Sequence, residues 1–290
     1  MAMEGVGINL VKVDPDTMVF GIIGYPLSHS LSPIMHNKAF RHKGINAVYL
    51  YFPCKKIDGV VSGMKSLSIK GLSVTIPHKE KICEYLDKIE PIAEKIKAVN
   101  TLVNKDGLVI GYNTDAYGAI RAVKDKIKEL QGKRALIIGA GGAARAIAFA
   151  LKEEKAYVII SNRTKKRGEA LAKEIDAEFL PFSDIKRSDP DIIIQATSVG
   201  MYPEVDKVPV FLEELFRKRP LVMDIVYNPL ETKFLKMAKE RGCEVIPGVE
   251  MFVYQGARQF EIWTEEKAPV QLMKETVVSF LKGERDDKRD

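Results

Sequence analysis

The chain has 290 residues, 46% of them hydrophobic and 29% charged, with a formal net charge of +6. That is enough chain for two domains with separate cores, and its composition excludes a disordered protein. No run approaches the roughly 18–20 apolar residues of a membrane span. The opening "MAMEGVGINLVKVDPD" has neither a basic n-region nor a long apolar stretch, so a cytoplasmic protein with no membrane partner is expected. Cys54, Cys83 and Cys243 stand far apart without CxxC or Cys/His spacing, which points to free thiols and no metal. Basic residues are interleaved with acids, as in "KDKIKELQGKR", the pattern of solvated helix faces and not of a nucleic-acid surface.

Short apolar runs alternate with amphipathic stretches along nearly the whole chain, the pattern of an α/β protein with largely parallel strands. In chain order, strands are expected at "MVFGIIG", "AVYLYF" and "GLSVTI", with helices near 33–43, 55–66 and 78–97. "AVNTLVNKDGLVIGYN" reads as a hairpin turning at Asp106-Gly107. A helix over 116–130 leads into "ALIIGAGGAARAIAFALKEEKAYVIISNRT", a strand, glycine turn, helix and strand, and further strands follow at "DIIIQAT", "PLVMDIV" and "CEVIPG". Helices near 250–263 and 269–282 close the chain and are expected to return to the first half. The boundary between the halves falls near residue 115.

The turn "GAGGAARA" supplies Gly139, Gly141 and Ala144 as G-x-G-x-x-A, with Ala140, Gly142 and Ala143 between them. With a strand before and a helix after, this is the context of a dinucleotide pyrophosphate site. The next strand ends in "SNRTKKR" where an NAD site usually carries an acid. Asn162, Arg163, Thr164, Lys165, Lys166 and Arg167 stand there instead, and an arginine guanidinium would pair with a 2′-phosphate, so NADP is expected over NAD. Cations at a helix start oppose its dipole, which a bound anion would relieve. Two more strand ends carry Thr197, Ser198, Gly200 and Met201, then Asp224 and Tyr227, where open α/β sheets bind ligands.

The first half has its own polar set: Ser30 and Ser32 in "GYPLSHSLSPIMHN", Thr75 and Lys79 in "SVTIPHKE", Asn100 and Thr101 in "AVNT", and Asp115 in "YNTDAYG". Each has a local reading. Ser32 before Pro33 is placed as a helix cap, so Ser32→Ala is expected to cost about 1 kcal/mol, whereas Ser30 has no capping duty. Asp115 is placed equally as a cap of the helix that follows. His29 and His36 read as packing or surface residues.

Taken together, "GYPLSHSLSPIMHN", "GLSVTIPHKE", "AVNTLV", "GYNTDAYGA", "GAGGAARA", "NRT", "NPLETKFL" and "MFVYQGARQF" closely resemble the shikimate dehydrogenase family over about residues 20–260. The resemblance implies a fold of two α/β domains: an N-terminal substrate-binding domain, 1–114, completed by helices in 249–290, and a Rossmann-type NADP-binding domain with a parallel sheet, 115–248. It implies that Ser30 and Ser32 hold a substrate carboxylate, that Thr75, Asn100 and Gln255 bond ring hydroxyls, and that Lys79 and Asp115 are the catalytic pair. Tyr227 would lie near substrate and nicotinamide, and Gly248 would join the cofactor set. Asn162, Arg163, Thr164 and Arg167 are implied as the 2′-phosphate pocket. Ser73 departs from the pattern, since many members have asparagine there. The activity implied is reversible NADP-linked reduction of 3-dehydroshikimate to shikimate, with a small molecule as partner and monomer or homodimer both open. A quinate/shikimate dehydrogenase with relaxed cofactor use, or a non-catalytic sensor of a hydroxy acid or dinucleotide, are the alternatives.

Overall fold

A computed structural model describes residues 13–210 and 213–283. Most of the opening stretch read above as lacking a leader, and residues 284–290 of the C-terminal segment, lie outside them. The first half runs β1 (Met18–Gly24), α1 (Ser32–His42), β2 (Ala47–Pro53), α2 (Val60–Ser66), β3 (Gly71–Val74), β4 (Lys88–Ile89), α3 (Pro91–Ile96), β5 (Thr101–Lys105) and β6 (Leu108–Tyr112). These strands form one mixed sheet in the order β2-β1-β3-β5-β6-β4. β1 pairs in parallel with β2 and β3, while β5 runs antiparallel to both β3 and β6. The β5–β6 hairpin turns at Asp106 and Gly107, both with positive φ, as a two-residue turn of the twist-matched type requires.

One expected helix is absent. Residues 78–97 divide into a 3-10 turn at Lys81–Tyr85, β4, and the short α3. Asp87 accepts the Val109 N–H at 2.7 Å, and β4 then joins β6 as a parallel edge strand. Pro91 disfavours helical backbone at Glu90, whose carboxylate instead caps α3 through the N–H groups of Ile92 and Ala93. The expected helix over 55–66 begins only at Val60, after Gly59 at φ 79°. The strand expected at "GLSVTI" stops at Val74, where the chain leaves the sheet into Thr75–Lys79.

The second half opens with α4 (Asp115–Lys124), shorter than the periodicity predicts; Leu130, beyond its end, is buried in one core with Ala135 and Ile137. It continues β7 (Arg134–Ile138), α5 (Gly142–Glu153), β8 (Tyr157–Ser161), α6 (Lys165–Glu174), β9 (Glu178–Phe179), β10 (Ile192–Gln195), β11 (Leu221–Asp224), α7 (Lys233–Glu240) and β12 (Val245–Ile246). All six strands are parallel, in the order β12-β11-β10-β7-β8-β9. Counted from β7, this is the doubly wound order 3-2-1-4-5-6, whose switch point lies between β7 and β10. β7, β8 and β10 are apolar and almost wholly buried, as strands covered by helices on both faces must be.

α8 (Gly248–Thr264) and α9 (Val270–Leu281) return to the first sheet. Val249, Val253, Phe260, Met273 and Val277 share one core with Phe20, Met35 and Phe40. α8 also packs along α4, and a Cβ on Gly118 would meet the Gln255 backbone nitrogen and the Met251 carbonyl at 2.8 Å. A side chain there would push the two helices apart.

His36 lies in the core that α8 completes. Its ring stacks on Tyr49 at 4.7 Å and 10°, with Phe40 and Trp263 around it. Neither ring nitrogen makes a hydrogen bond, and Gln259 approaches without bonding geometry. Burial lowers its pKa from 6.5 to about 3. The folded chain therefore keeps this ring neutral where the unfolded chain protonates it. The stability it contributes is complete above pH 6.5 and is lost as pH falls toward 3. His36→Phe is expected to lose less stability than wild type between pH 6.5 and 4, read by urea denaturation at each pH. Parallel pH–stability curves would contradict this.

Candidate active site

The segment Thr75–Lys79 crosses from β3 to the 3-10 turn and is fastened at His78, whose Nε2 donates to the Cys54 carbonyl at 2.7 Å. It delivers Lys79 to Asp115 at the start of α4, with Nζ 2.5 Å from Oδ2. The two side chains are 18% and 7% exposed, so the pair is largely withdrawn from water. Asp115 does not cap its helix. Asn113 does so, accepting the Ala116 N–H at 3.2 Å, which leaves both Asp115 oxygens to side chains. The second oxygen accepts from Asn100 Nδ2 at 2.9 Å. The same amide donates to Thr114 Oγ1, and Asn100 Oδ1 accepts the Thr114 N–H at 2.8 Å. Asn100 thus joins the end of the β-hairpin to the start of α4.

The serine loop corrects one expectation. Leu31, not Ser32, precedes the first helical residue, and no side chain caps α1. Ser32 has entered the helix, and its own N–H donates to Ser30 Oγ at 3.4 Å. The local duty therefore falls on Ser30, which the sequence had left without one. Ser32 is buried beside the Tyr49 phenol, which donates to Ser73 Oγ at 2.6 Å. The Tyr51 hydroxyl donates to the Ser30 carbonyl, and the Tyr227 hydroxyl donates to that of His29 at 3.3 Å, reaching from the second half of the chain. Thr75 sits against the end of β1, where a Cβ on Gly24 would come within 2.4 Å of its methyl group. Gln255 donates to the Phe252 carbonyl and approaches Thr114 Oγ1 at 3.5 Å.

At the switch point Gly139 has φ +133°, and a Cβ there would lie 2.8 Å from the Ala196 carbonyl. Only glycine meets both demands. Gly141 faces open space, and α5 begins at Gly142 with no side-chain cap and no acid in its first turn, leaving its N–H groups available to an anion. Ala140 and Ala143 line the same half-open turn, and Ala144 is buried beneath it. Asn162 donates to the Thr164 carbonyl at 2.9 Å and shapes the next loop. Arg163 and Arg167 are exposed, with no acidic partner among the described residues. Thr197 and Ser198 follow β10, where Gln195 bonds the carbonyls of Thr197 and Val199. Gly200 has φ +87°, and the exposed Met201 follows it. Gly248 packs under the Val226 carbonyl, where a Cβ would come within 2.3 Å. These residues fit a phosphorylated dinucleotide.

The two sets meet at Lys79, since a Cβ on Gly142 would stand 3.6 Å from the lysine Cβ. His29 also packs edge-on against Tyr202 across the halves, with centroids 5.6 Å apart. Two further residues support the site, of which Asp224 was named at a strand end in the sequence and Gln259 was not. Asp224 is buried, accepts from Thr232 Oγ1 at 2.7 Å and from the Val226 N–H at 2.9 Å, and so pins the loop carrying Tyr227. Burial pushes its carboxyl up to about 7. Gln259 is the other, and its only signal was a glutamine one helical turn after Gln255.

A doubly wound parallel sheet with a glycine turn at its switch point, beside a lysine–carboxylate pair formed where it meets a second α/β unit, defines a dinucleotide-dependent oxidoreductase. Family models described as the shikimate dehydrogenase substrate binding domain, shikimate/quinate 5-dehydrogenase, and the shikimate 5′-dehydrogenase C-terminal domain match residues 22–102, 121–226 and 248–278. A shikimate dehydrogenase (NADP(+)) of Methanocaldococcus jannaschii is 46% identical over 277 residues, spanning 92% of this chain and 98% of that protein. A crystal structure of shikimate dehydrogenase in complex with NADP+ is similar at TM-score 0.89 and 44% identity, over 93% of this chain and 98% of that one. Another, from Thermus thermophilus with NADP(H) and shikimate, is similar at TM-score 0.82 and 35% identity, over 90% and 98%. The chain belongs to the shikimate dehydrogenase family.

Because Ser32 caps nothing, Ser32→Ala is expected to stay within about 0.5 kcal/mol of wild type in urea denaturation, its Tyr49 neighbour remaining bonded to Ser73. A loss of about 1 kcal/mol or more would restore the capping role.

Proposed function

We propose that the chain catalyses the reversible NADP-dependent reduction of 3-dehydroshikimate to shikimate. The observation that carries the reading is the Lys79–Asp115 pair standing against the glycine turn of the dinucleotide site. Reducing a ketone requires a hydride donor, a proton for the developing alkoxide and a fixed substrate. NADPH supplies the hydride when bound. Lys79 gives the proton to the carbonyl oxygen, and in the oxidative direction Lys79 with Asp115 takes it from the hydroxyl. Such positioned proton transfer contributes roughly 100- to 10,000-fold. Asp115 holds the ammonium in place, and Asn100 holds Asp115.

In this reading Ser30 and Ser32 bind the substrate carboxylate, while Thr75, Asn100 and Gln255 bond its hydroxyls. A site built to bond hydroxyls strongly rejects analogues lacking them. Tyr227, bonded to the serine loop at His29, would lie near the substrate and the nicotinamide. Gly139 to Ala144 and the start of α5 hold the pyrophosphate, with Thr197, Ser198, Gly200, Met201 and Gly248 beside it. Asn162, Arg163, Thr164 and Arg167 take the 2′-phosphate. Residues 1–114 with 249–290 form the substrate-binding domain and 115–248 the NADP-binding domain. No helix among the described residues is long and apolar enough to cross a membrane, and the reading places the enzyme in the cytoplasm with a small-molecule substrate.

The direct test follows cofactor absorbance with shikimate and quinate, each with NADP and NAD. Shikimate with NADP is expected to give the highest kcat/KM, and faster turnover of quinate with NAD would contradict the reading. Arg163→Ala is expected to raise KM for NADPH about 10-fold or more while changing KM for NADH little, because the lost contact is charge-assisted. Equal changes for both cofactors would overturn the phosphate assignment.

A further inference from the structure

Behind the Lys79–Asp115 pair lies a buried chain of polar groups that reaches α8 and β2. Gln259, 1% exposed, donates from Nε2 to the Asn100 carbonyl at 3.1 Å and to Thr101 Oγ1 at 2.9 Å. A backbone carbonyl only accepts, so this contact fixes which end of the glutamine amide faces Asn100. Gln259 Oε1 must then face Ser73, whose hydroxyl donates to it at 2.9 Å and in turn accepts from Tyr49 at 2.6 Å. On the other side, Thr101 Oγ1 accepts a hydrogen bond from Gln259 and donates its own hydroxyl to Asn100 Oδ1 at 2.8 Å. The Thr114 N–H reaches the same Oδ1, so the Asn100 NH2 is directed at Asp115. Every donor in the chain points the same way, from the Tyr49 phenol to the Asp115 carboxylate.

We propose that Gln259 is a positioning residue for proton transfer: through Thr101 it fixes the Asn100 amide, and thereby the Asp115 carboxylate that holds Lys79. The alternative amide orientation would set the Asn100 oxygen against the carboxylate and strand buried donors, which is costly in a water-excluded network. Ser73, the departure from the family pattern, belongs to the same unit. Its short side chain is met by the long amide of Gln259 coming from α8. The titratable groups around this chain are Tyr49 on β2, His36 on α1, and the Lys79–Asp115 pair itself. Tyr49 and His36 are held neutral by burial, so the pair alone carries charge.

This inference rests on the proposed dehydrogenase reaction, and its test is scored against wild-type turnover of shikimate with NADP. Gln259→Leu is expected to lower kcat about 10-fold, with KM for NADP within about two-fold of wild type. The shape of its kcat–pH profile is expected to differ from that of wild type, a change that loss of a packing contact alone would not produce. Thr101→Val breaks the same chain, so the double variant is expected to be no slower than the slower single one, within about two-fold. If Gln259→Leu does not fold, Gln259→Glu carries the test. It keeps the shape but lacks the paired donors, and is expected to lower kcat and alter the pH profile. An unchanged kcat and pH profile alongside a lowered Tm would make Gln259 a packing residue only, and losses that multiply in the double variant would also overturn the proposal. A wrong reaction assignment would show differently, as a wild type that does not turn over shikimate.

Discussion

A lysine ammonium and an aspartate carboxylate lie 2.5 Å apart and are mostly shielded from water, so each is the other's main source of charge compensation. That requirement organises the surrounding structure. Lys79 is carried on a segment that has left the sheet after β3, and His78 pins it to the Cys54 carbonyl. Asp115 opens α4 but is relieved of capping by Asn113. Asn100 fills the remaining demand at the carboxylate, and Thr114, Thr101 and Gln259 hold Asn100. The pair is a place where three parts of the chain, far apart in sequence, must be correct at once.

The second constraint is where the parallel sheet puts its opening. Reversal of strand order between β7 and β10 leaves a crevice at their carboxyl ends, where a Cβ on Gly139 would stand 2.8 Å from the Ala196 carbonyl. α5 then starts with uncapped N–H groups toward that crevice. Gly142, its first residue, stands against Lys79. α4 and α8 pack backbone to backbone at Gly118, so the helix opening the second half lies against the helix that returns to the first sheet. The glycine turn and the Lys79–Asp115 pair thereby stand side by side.

Much of this was legible in the sequence, for a physical reason in each case. The buried parallel strands are continuous apolar runs, the hairpin carries Asp-Gly, and the cofactor turn needs glycines at fixed spacing. What periodicity missed was decided by long-range contacts. Residues 78–97 carry helical spacing, yet Asp87 is taken by the Val109 N–H and Pro91 resets the backbone, so a strand edge wins. At the serine loop, Ser-Pro indicates a helix start correctly, but the residue that shields the first turn is Ser30 and not Ser32. Gln259 was invisible because a polar residue on an amphipathic helix ordinarily faces solvent. Only the fold shows it turned inward onto Asn100.

In the proposed reaction Lys79 moves the proton while the rest of the site positions it. Steady-state oxidation of shikimate by Lys79→Ala, with NADP binding and thermal unfolding measured on the same sample, tests this most directly. The account predicts a kcat lowered by roughly 100-fold or more, with the fold and NADP affinity retained. Near-wild-type turnover in that variant would contradict it.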